Sequence, residues 1–137
     1  MFKIVPSIID TDVLSEYFRG NRKVRAHFEA YIEEHVFINL SVISYYEIMN
    51  GLLYKDAKKQ LIQFEEFVQV NRIIPLTLRM AKTAARIQAD LRKKGTQIGH
   101  TDTLIAGIAL VSKLQLVTNN VRHFERIKDL RIMNWMK

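Results

Sequence analysis

Three stretches of the chain set isolated carboxylates beside small hydroxyl residues: Asp10-Thr11-Asp12, Ser44-Tyr45-Tyr46-Glu47 and Thr101-Asp102-Thr103. A fourth, Thr118-Asn119-Asn120, offers hydroxyl and amide groups without charge. Carboxylates brought together repel, and the repulsion is relieved by a raised pKa or by a bound cation. The chain has no cysteine, and His27, His35, His100 and His123 show no ligand spacing. Oxygen donors alone suit Mg²⁺ or Mn²⁺. Such an ion activates water for in-line attack on a phosphodiester and offsets charge on the phosphoryl and leaving oxygens, so no histidine base is needed.

Each group also has a local use. Asp102 in a first helical turn complements the helix dipole, with Thr101 as N-cap. Ser44 and Glu47 have the spacing of a capping box. Thr11 or Asp12 can cap the next helix, Asp10 can end a strand, and Asn119 and Asn120 are turn formers. These uses explain the residues singly. They do not explain three carboxylates meeting at one place, so the elements that carry them decide the matter.

Apolar, β-branched runs predict strands at Lys3–Ile9, Val36–Leu40, Arg72–Leu76, Leu114–Thr118 and Arg131–Asn134. Helical patterns lie between them at Val13–Arg19, Arg22–Glu34, Ser44–Tyr54, Ala57–Val70, Thr77–Lys94 and Thr101–Lys113. This alternation predicts helices packed on a mostly parallel sheet. Ligands bind such sheets beyond the carboxyl ends of the strands. Asp10 follows the first strand, Glu47 lies just beyond the second, Asp102 opens the helix leading into the fourth, and Asn119 follows that strand. All can reach one sheet edge.

At 137 residues the expectation is one domain, residues 1–137, large enough to bury a core. The apolar run at the N-terminus is too short for a signal peptide, and none in the chain is long enough to span a bilayer. With no cysteine, a reducing cytoplasm fits. A net charge of +7 suits a polyanionic partner. A receiver domain would need a phosphoacceptor Asp after Arg72–Leu76, which is absent, and no glycine-rich phosphate loop occurs. On the helix Thr77–Lys94, Met80, Ala84, Ile87 and Leu91 form a core stripe opposite Arg79, Lys82, Arg86 and Lys93. Lys93 and Lys94 run toward the loop before Asp102 and are candidates to touch substrate. Tyr45, Tyr46 and Tyr54 suit base stacking, core packing or a dimer contact.

IIDTDVLSEY, ISYYEIMNGLL, DTLIAGIAL and LVTNNVRHFERI, in this order and spacing, resemble the PIN domain, specifically VapC-type toxins of toxin–antitoxin pairs. The resemblance covers essentially the whole chain. It implies a three-layer α/β/α sandwich and a metal-dependent endoribonuclease. Carried over by position, the acids are Asp10, Glu47 and Asp102, with Asn120 at a fourth position that is Asp or Asn in the family. Asp12 adds a further carboxylate, and Thr11 and Thr118 fall where the family has small hydroxyl residues. The implied roles are Asp10 and Asp102 as ligands of Mg²⁺ or Mn²⁺, with Asp12 as an additional one. Glu47 ligates or orients water, and Asn120 hydrogen-bonds a water or a phosphate oxygen. The implied partners are RNA, a small antitoxin whose C-terminal segment blocks the site, and a second copy of the chain. The alternatives are an RNA-processing nuclease that is not a toxin, or a catalytically silent binding module.

Overall fold

The computed structural model describes residues 4–137. Its centre is a five-stranded sheet of β1 (Ser7–Ile9), β2 (Asn39–Ser41), β3 (Arg72–Ile74), β4 (Gln115–Val117) and β5 (Ile132–Met133), ordered β3-β2-β1-β4-β5. Every neighbouring pair runs parallel, with Ser7, Ile8 and Ile9 opposite Gln115, Leu116 and Val117 at the centre. All five strands fall within the predicted runs or, for β2, overlap one, but they are shorter. Pro6 and Pro75 have no N–H to give a ladder. Val36 ends the preceding helix at φ 77, and the Leu114 N–H donates to Ala109 O. Lys3, the start of the first predicted strand, lies outside the described residues.

The helices are α1 (Thr11–Arg19), α2 (Arg22–His35), α3 (Val42–Tyr54), α4 (Lys58–Gln69), α5 (Leu78–Lys93), α6 (His100–Ser112) and a single turn, α7 (Val121–Phe124), that the periodicity does not predict. Successive strand residues point to opposite faces. Ile8 and Leu116 pack with Met80, Leu91, Ile105 and Ile108 of α5 and α6. Ile9, Leu40 and Val117 pack with Leu14, Phe28 and Phe64 of α1, α2 and α4. The result is the three-layer α/β/α architecture. Burying each such side chain contributes about 1.5–3 kcal/mol.

Helix α5 shows the predicted stripe: Met80, Ala84 and Leu91 are buried, Ile87 packs beside them, and Arg79, Lys82, Arg86 and Lys93 are exposed. Its seat on α6 depends on Gly107, where a Cβ would come within 2.6 Å of Met80 O. That close approach seats α6, which carries Asp102 in its first turn, against α5. Among the described residues no helix is long and apolar enough to cross a membrane.

Candidate active site

The chain runs from β1 toward β2 on one side, while β4 enters on the other, so strand order reverses between β1 and β4. Crevices in open parallel sheets lie at such a reversal, beyond the carboxyl ends. Asp10 stands there. Its N–H donates to Val117 O at 2.9 Å, continuing the ladder one residue past β1. Its carboxylate then caps α1: Oδ1 accepts the Thr11 N–H at 2.8 Å, and Oδ2 accepts the Thr118 hydroxyl at 2.8 Å. The cap is Asp10 itself, rather than Thr11 or Asp12.

Asp10 is 3% exposed. Burial, the neighbouring Asp12 charge and more weakly Asp102 push its pKa from 3.8 up to about 7, against the pull of the Thr118 and Thr11 hydrogen bonds. Asp12 is raised too, by burial and by Asp102, while backbone N–H groups of Asn119, Val13 and Asn120 oppose the shift. Its Oδ1 accepts from Val13 N–H at 2.8 Å and its Oδ2 from Asn119 N–H at 3.0 Å. The like charges of Asp10, Asp12 and Asp102 are thus felt by one another at one sheet edge.

Glu47 joins by a different route. Ser41, not Ser44, is the N-cap of α3 and accepts the Ser44 N–H at 3.0 Å, so the expected capping box does not form. Ser44 and Glu47 are thereby free to face α1. The Thr11 hydroxyl lies 2.8 Å from Ser44 Oγ and 2.7 Å from Glu47 Oε1. Its single proton goes to the carboxylate, leaving its oxygen to accept from Ser44. Asp102 sits in the first turn of α6, whose N-cap is Gly99 with no side-chain bond, so Thr101 does not cap it. Asp102 Oδ2 accepts the Nδ1–H of His123 at 2.9 Å.

The donors able to meet a cation here are oxygens, carboxylates foremost, which fits Mg²⁺ or Mn²⁺ chemically. Among the described residues no three His, Asp or Glu side chains are drawn tightly enough to close on a metal ion as they stand. Each carboxylate is held instead on its own hydrogen bonds along the edge.

The sequence model of the PIN domain matches residues 7–130. The chain belongs to the PIN-domain family. Over 78 residues it is 37% identical to the tRNA(fMet)-specific endonuclease VapC of Salmonella typhimurium, covering 57% of this chain and 59% of that protein. It is 29% identical over 135 residues to Ribonuclease VapC1 of Haemophilus influenzae, covering 95% of this chain and 98% of that one. The chain therefore spans somewhat more than half of the first relative and nearly all of the second. It also superposes on the structure of DNA-bound VapBC from Salmonella typhimurium with a TM-score of 0.85 and 28% identity, across 96% of this chain and 99% of that one.

Within this PIN domain the remaining candidates are arranged unevenly. Asn120 lies at the N-cap of α7, where its N–H donates to Thr118 Oγ1 at 3.0 Å and its side chain makes no capping bond. Lys93 and Lys94 are exposed at the end of α5, and among the described residues no hydrogen bond or ion pair ties them to the carboxylates. Tyr45 stacks on Phe64 and donates to Glu65, whereas Tyr46 and Tyr54 are exposed. His100 lies two residues before Asp102 in sequence, but His123 is the histidine that bonds to it. His123 and Ser41 are the residues the motifs alone do not pick out, and Ser44 is picked out in a different role. The clue to His123 is its place one helical turn beyond Asn119-Asn120, at the same edge.

Proposed function

We propose that this PIN domain is a metal-dependent endoribonuclease and the toxin of a toxin–antitoxin pair, acting in the cytoplasm as a homodimer. The observation that carries the reading is the buried Asp10, raised to about 7 beside Asp12 and Asp102 at the strand-order reversal. Strongly perturbed carboxylates in a cleft mark functional sites. Relatives named as ribonucleases and a superposable VapBC structure support the substrate class and the antitoxin partner. A divalent cation held by Asp10, Asp102 and Asp12 would supply a Lewis acid for phosphodiester hydrolysis.

The protein's own part is positioning. Thr118 and the Thr11 N–H orient Asp10, and His123 orients Asp102. Glu47, which Thr11 holds by a hydrogen bond, is assigned to orient water, and Asn120 to hold a phosphate oxygen. Lys93 and Lys94 are assigned to the outer path of the RNA. A cleft of about 340 Å³ lined by Thr11, Glu47, Arg19 and Lys55 opens beside the site, and we assign it to the antitoxin segment.

Purified protein incubated with a panel of RNAs, transfer RNAs included, tests the reading. Cleavage is expected with Mg²⁺ or Mn²⁺ and not in chelator. Asp10→Asn should lower it by about a thousandfold, equivalent to roughly 4 kcal/mol of transition-state stabilisation. Cleavage that persists in chelator, or that Asp10→Asn leaves intact, contradicts it.

A further inference from the structure

On the β4–β5 side of the carboxylates a cleft of about 310 Å³ is lined by Asn119, Arg122, His123, Asn134 and Lys137 among others. No acidic side chain lines it. Among the described residues neither Arg122 nor Lys137 takes part in an ion pair. The cleft is tied to the carboxylates on two sides, through the Asn119 N–H on Asp12 and the His123 ring on Asp102. A sharp change of sign therefore lies across two residues: acids on one side, cations on the other.

The amides of this cleft are also oriented. Asn134 Nδ2 donates to Asn119 Oδ1 at 3.1 Å, and Asn134 Oδ1 accepts the Met136 N–H at 2.8 Å. Each of these two carbonyl oxygens already accepts one hydrogen bond, so what this pair chiefly has left to offer a ligand is N–H donors: the amide of Asn119 and the second N–H of Asn134. Donors flanked by two unpaired cations complement an anionic ligand rich in acceptors. Arg122 adds a planar fork that matches two phosphate oxygens at once. The volume is at the lower end of small-molecule sites, room for one nucleotide.

We propose that this cleft is the subsite for the nucleotide adjoining the bond that is cut, in single-stranded RNA. Arg122 and Lys137 take its phosphate, and Asn119 and Asn134 offer N–H groups to acceptors on its base. The assignment rests on the RNA-cleaving function proposed above. It also meets a need of that function: a cluster of carboxylates repels the backbone it must cut, and adjacent cations offset that repulsion.

The test uses the full chain and a short fluorescein-labelled single-stranded RNA, with anisotropy titrations in chelator across a range of salt. R122A/K137A is compared with wild type and with K82A/R86A, which removes two exposed cations from the outer face of α5. The cleft variant should bind at least tenfold more weakly, and its salt slope should fall by about 0.7 for each phosphate it no longer neutralises. The α5 variant should keep the wild-type slope. In metal-supported cleavage the cleft variant should raise KM while kcat stays within about threefold, the pattern of weakened substrate binding. Asn134→Asp, which replaces a donor with a negative charge, should weaken binding as well. Wild-type binding, slope and KM in R122A/K137A, from a wild-type protein that cleaves RNA, overturn the subsite and leave the nuclease reading standing. A wild-type protein that cleaves no RNA overturns both.

Discussion

β1, β2 and β4 begin with Ser7, Asn39 and Gln115 and finish against Asp10, Ser41 and Thr118, so each carries buried polar groups at both ends. At the entering end the groups are neutral and bonded to one another. Tyr31 Oη accepts the Ser7 N–H at 2.9 Å, Asn39 Nδ2 donates to Ser7 O at 2.9 Å, and Gln115 Nε2 donates to Ser7 Oγ at 3.4 Å. Asn39 Oδ1 alone among the buried side-chain atoms described lacks a partner. At the leaving end a carboxylate is buried beside two others. Burial of neutral polar atoms is common to both ends, so that alone is not the functional signal. The signal is an ionisable group buried beside like charges: Asp10 is raised first by its burial and then by Asp12 and Asp102.

The largest effect that separates the two ends is a pH dependence of stability. The folded pKa of Asp10 is about 7 against 3.8 in its ordinary state, so the folded protein keeps a proton the unfolded chain gives up. Its stabilising contribution is full below about pH 4 and is lost as pH rises toward 7, a change on the order of 4 kcal/mol. Urea unfolding of wild type in chelator should show this decline relative to Asp10→Asn, which has no such proton to lose. At neutral pH the variant should be the more stable protein. Equal stability of the two at every pH would mean that the leaving end is as well balanced as the entering end. Divalent cation should restore stability to wild type, by about 2.7 kcal/mol at a hundredfold excess over its dissociation constant.

Much of this contrast was legible in the residues. Alternating apolar runs and helical stripes suffice for the parallel sheet, and Asp10, Glu47 and Asp102 follow from where those elements end. What the sequence left open was hydrogen-bond direction. Ser44-x-x-Glu47 has the spacing of a cap, yet Ser41 takes that role because it is the last extended residue before α3. Thr101 precedes Asp102, yet α6 starts at His100 and Gly99 holds the cap position. Such choices depend on which residue first leaves the extended conformation, a one-residue matter that periodicity does not resolve. His123 was less legible for another reason: its place after Asn119-Asn120 puts it at the right edge, but its partner is 21 residues away and only the turn of α7 after β4 aims the ring at Asp102.

At the entering end, Tyr31→Phe keeps the ring among Phe28 and Trp135 and deletes only the hydroxyl. The buried Ser7 N–H then loses its acceptor, which costs about 1–3 kcal/mol. This loss should be nearly constant between pH 4 and 7, since no carboxylate is involved, and RNA cleavage by the folded protein should be unchanged. A pH-dependent loss, or lost cleavage without lost stability, would show that the two ends are coupled through β1.

The smallest effect comes from a residue at the functional end that holds no charge. Ser41 ends β2, is fully buried and caps α3 through the Ser44 N–H. Ser41→Ala removes one side-chain acceptor from a helix start, a loss of about 1 kcal/mol. Because Ser44 also contacts Thr11, and Thr11 holds Glu47, the same substitution tests how firmly that carboxylate is placed. If the cap alone is lost, stability falls by this amount at every pH and kcat is unchanged. If Ser44 relaxes with it, Glu47 loses its fixed direction and kcat falls while KM does not. Comparing Ser41→Ala with Ser44→Ala separates these outcomes. The cap role is exclusive to Ser41, so a kcat loss confined to Ser44→Ala assigns Ser41 to structure and Ser44 to the orientation of Glu47.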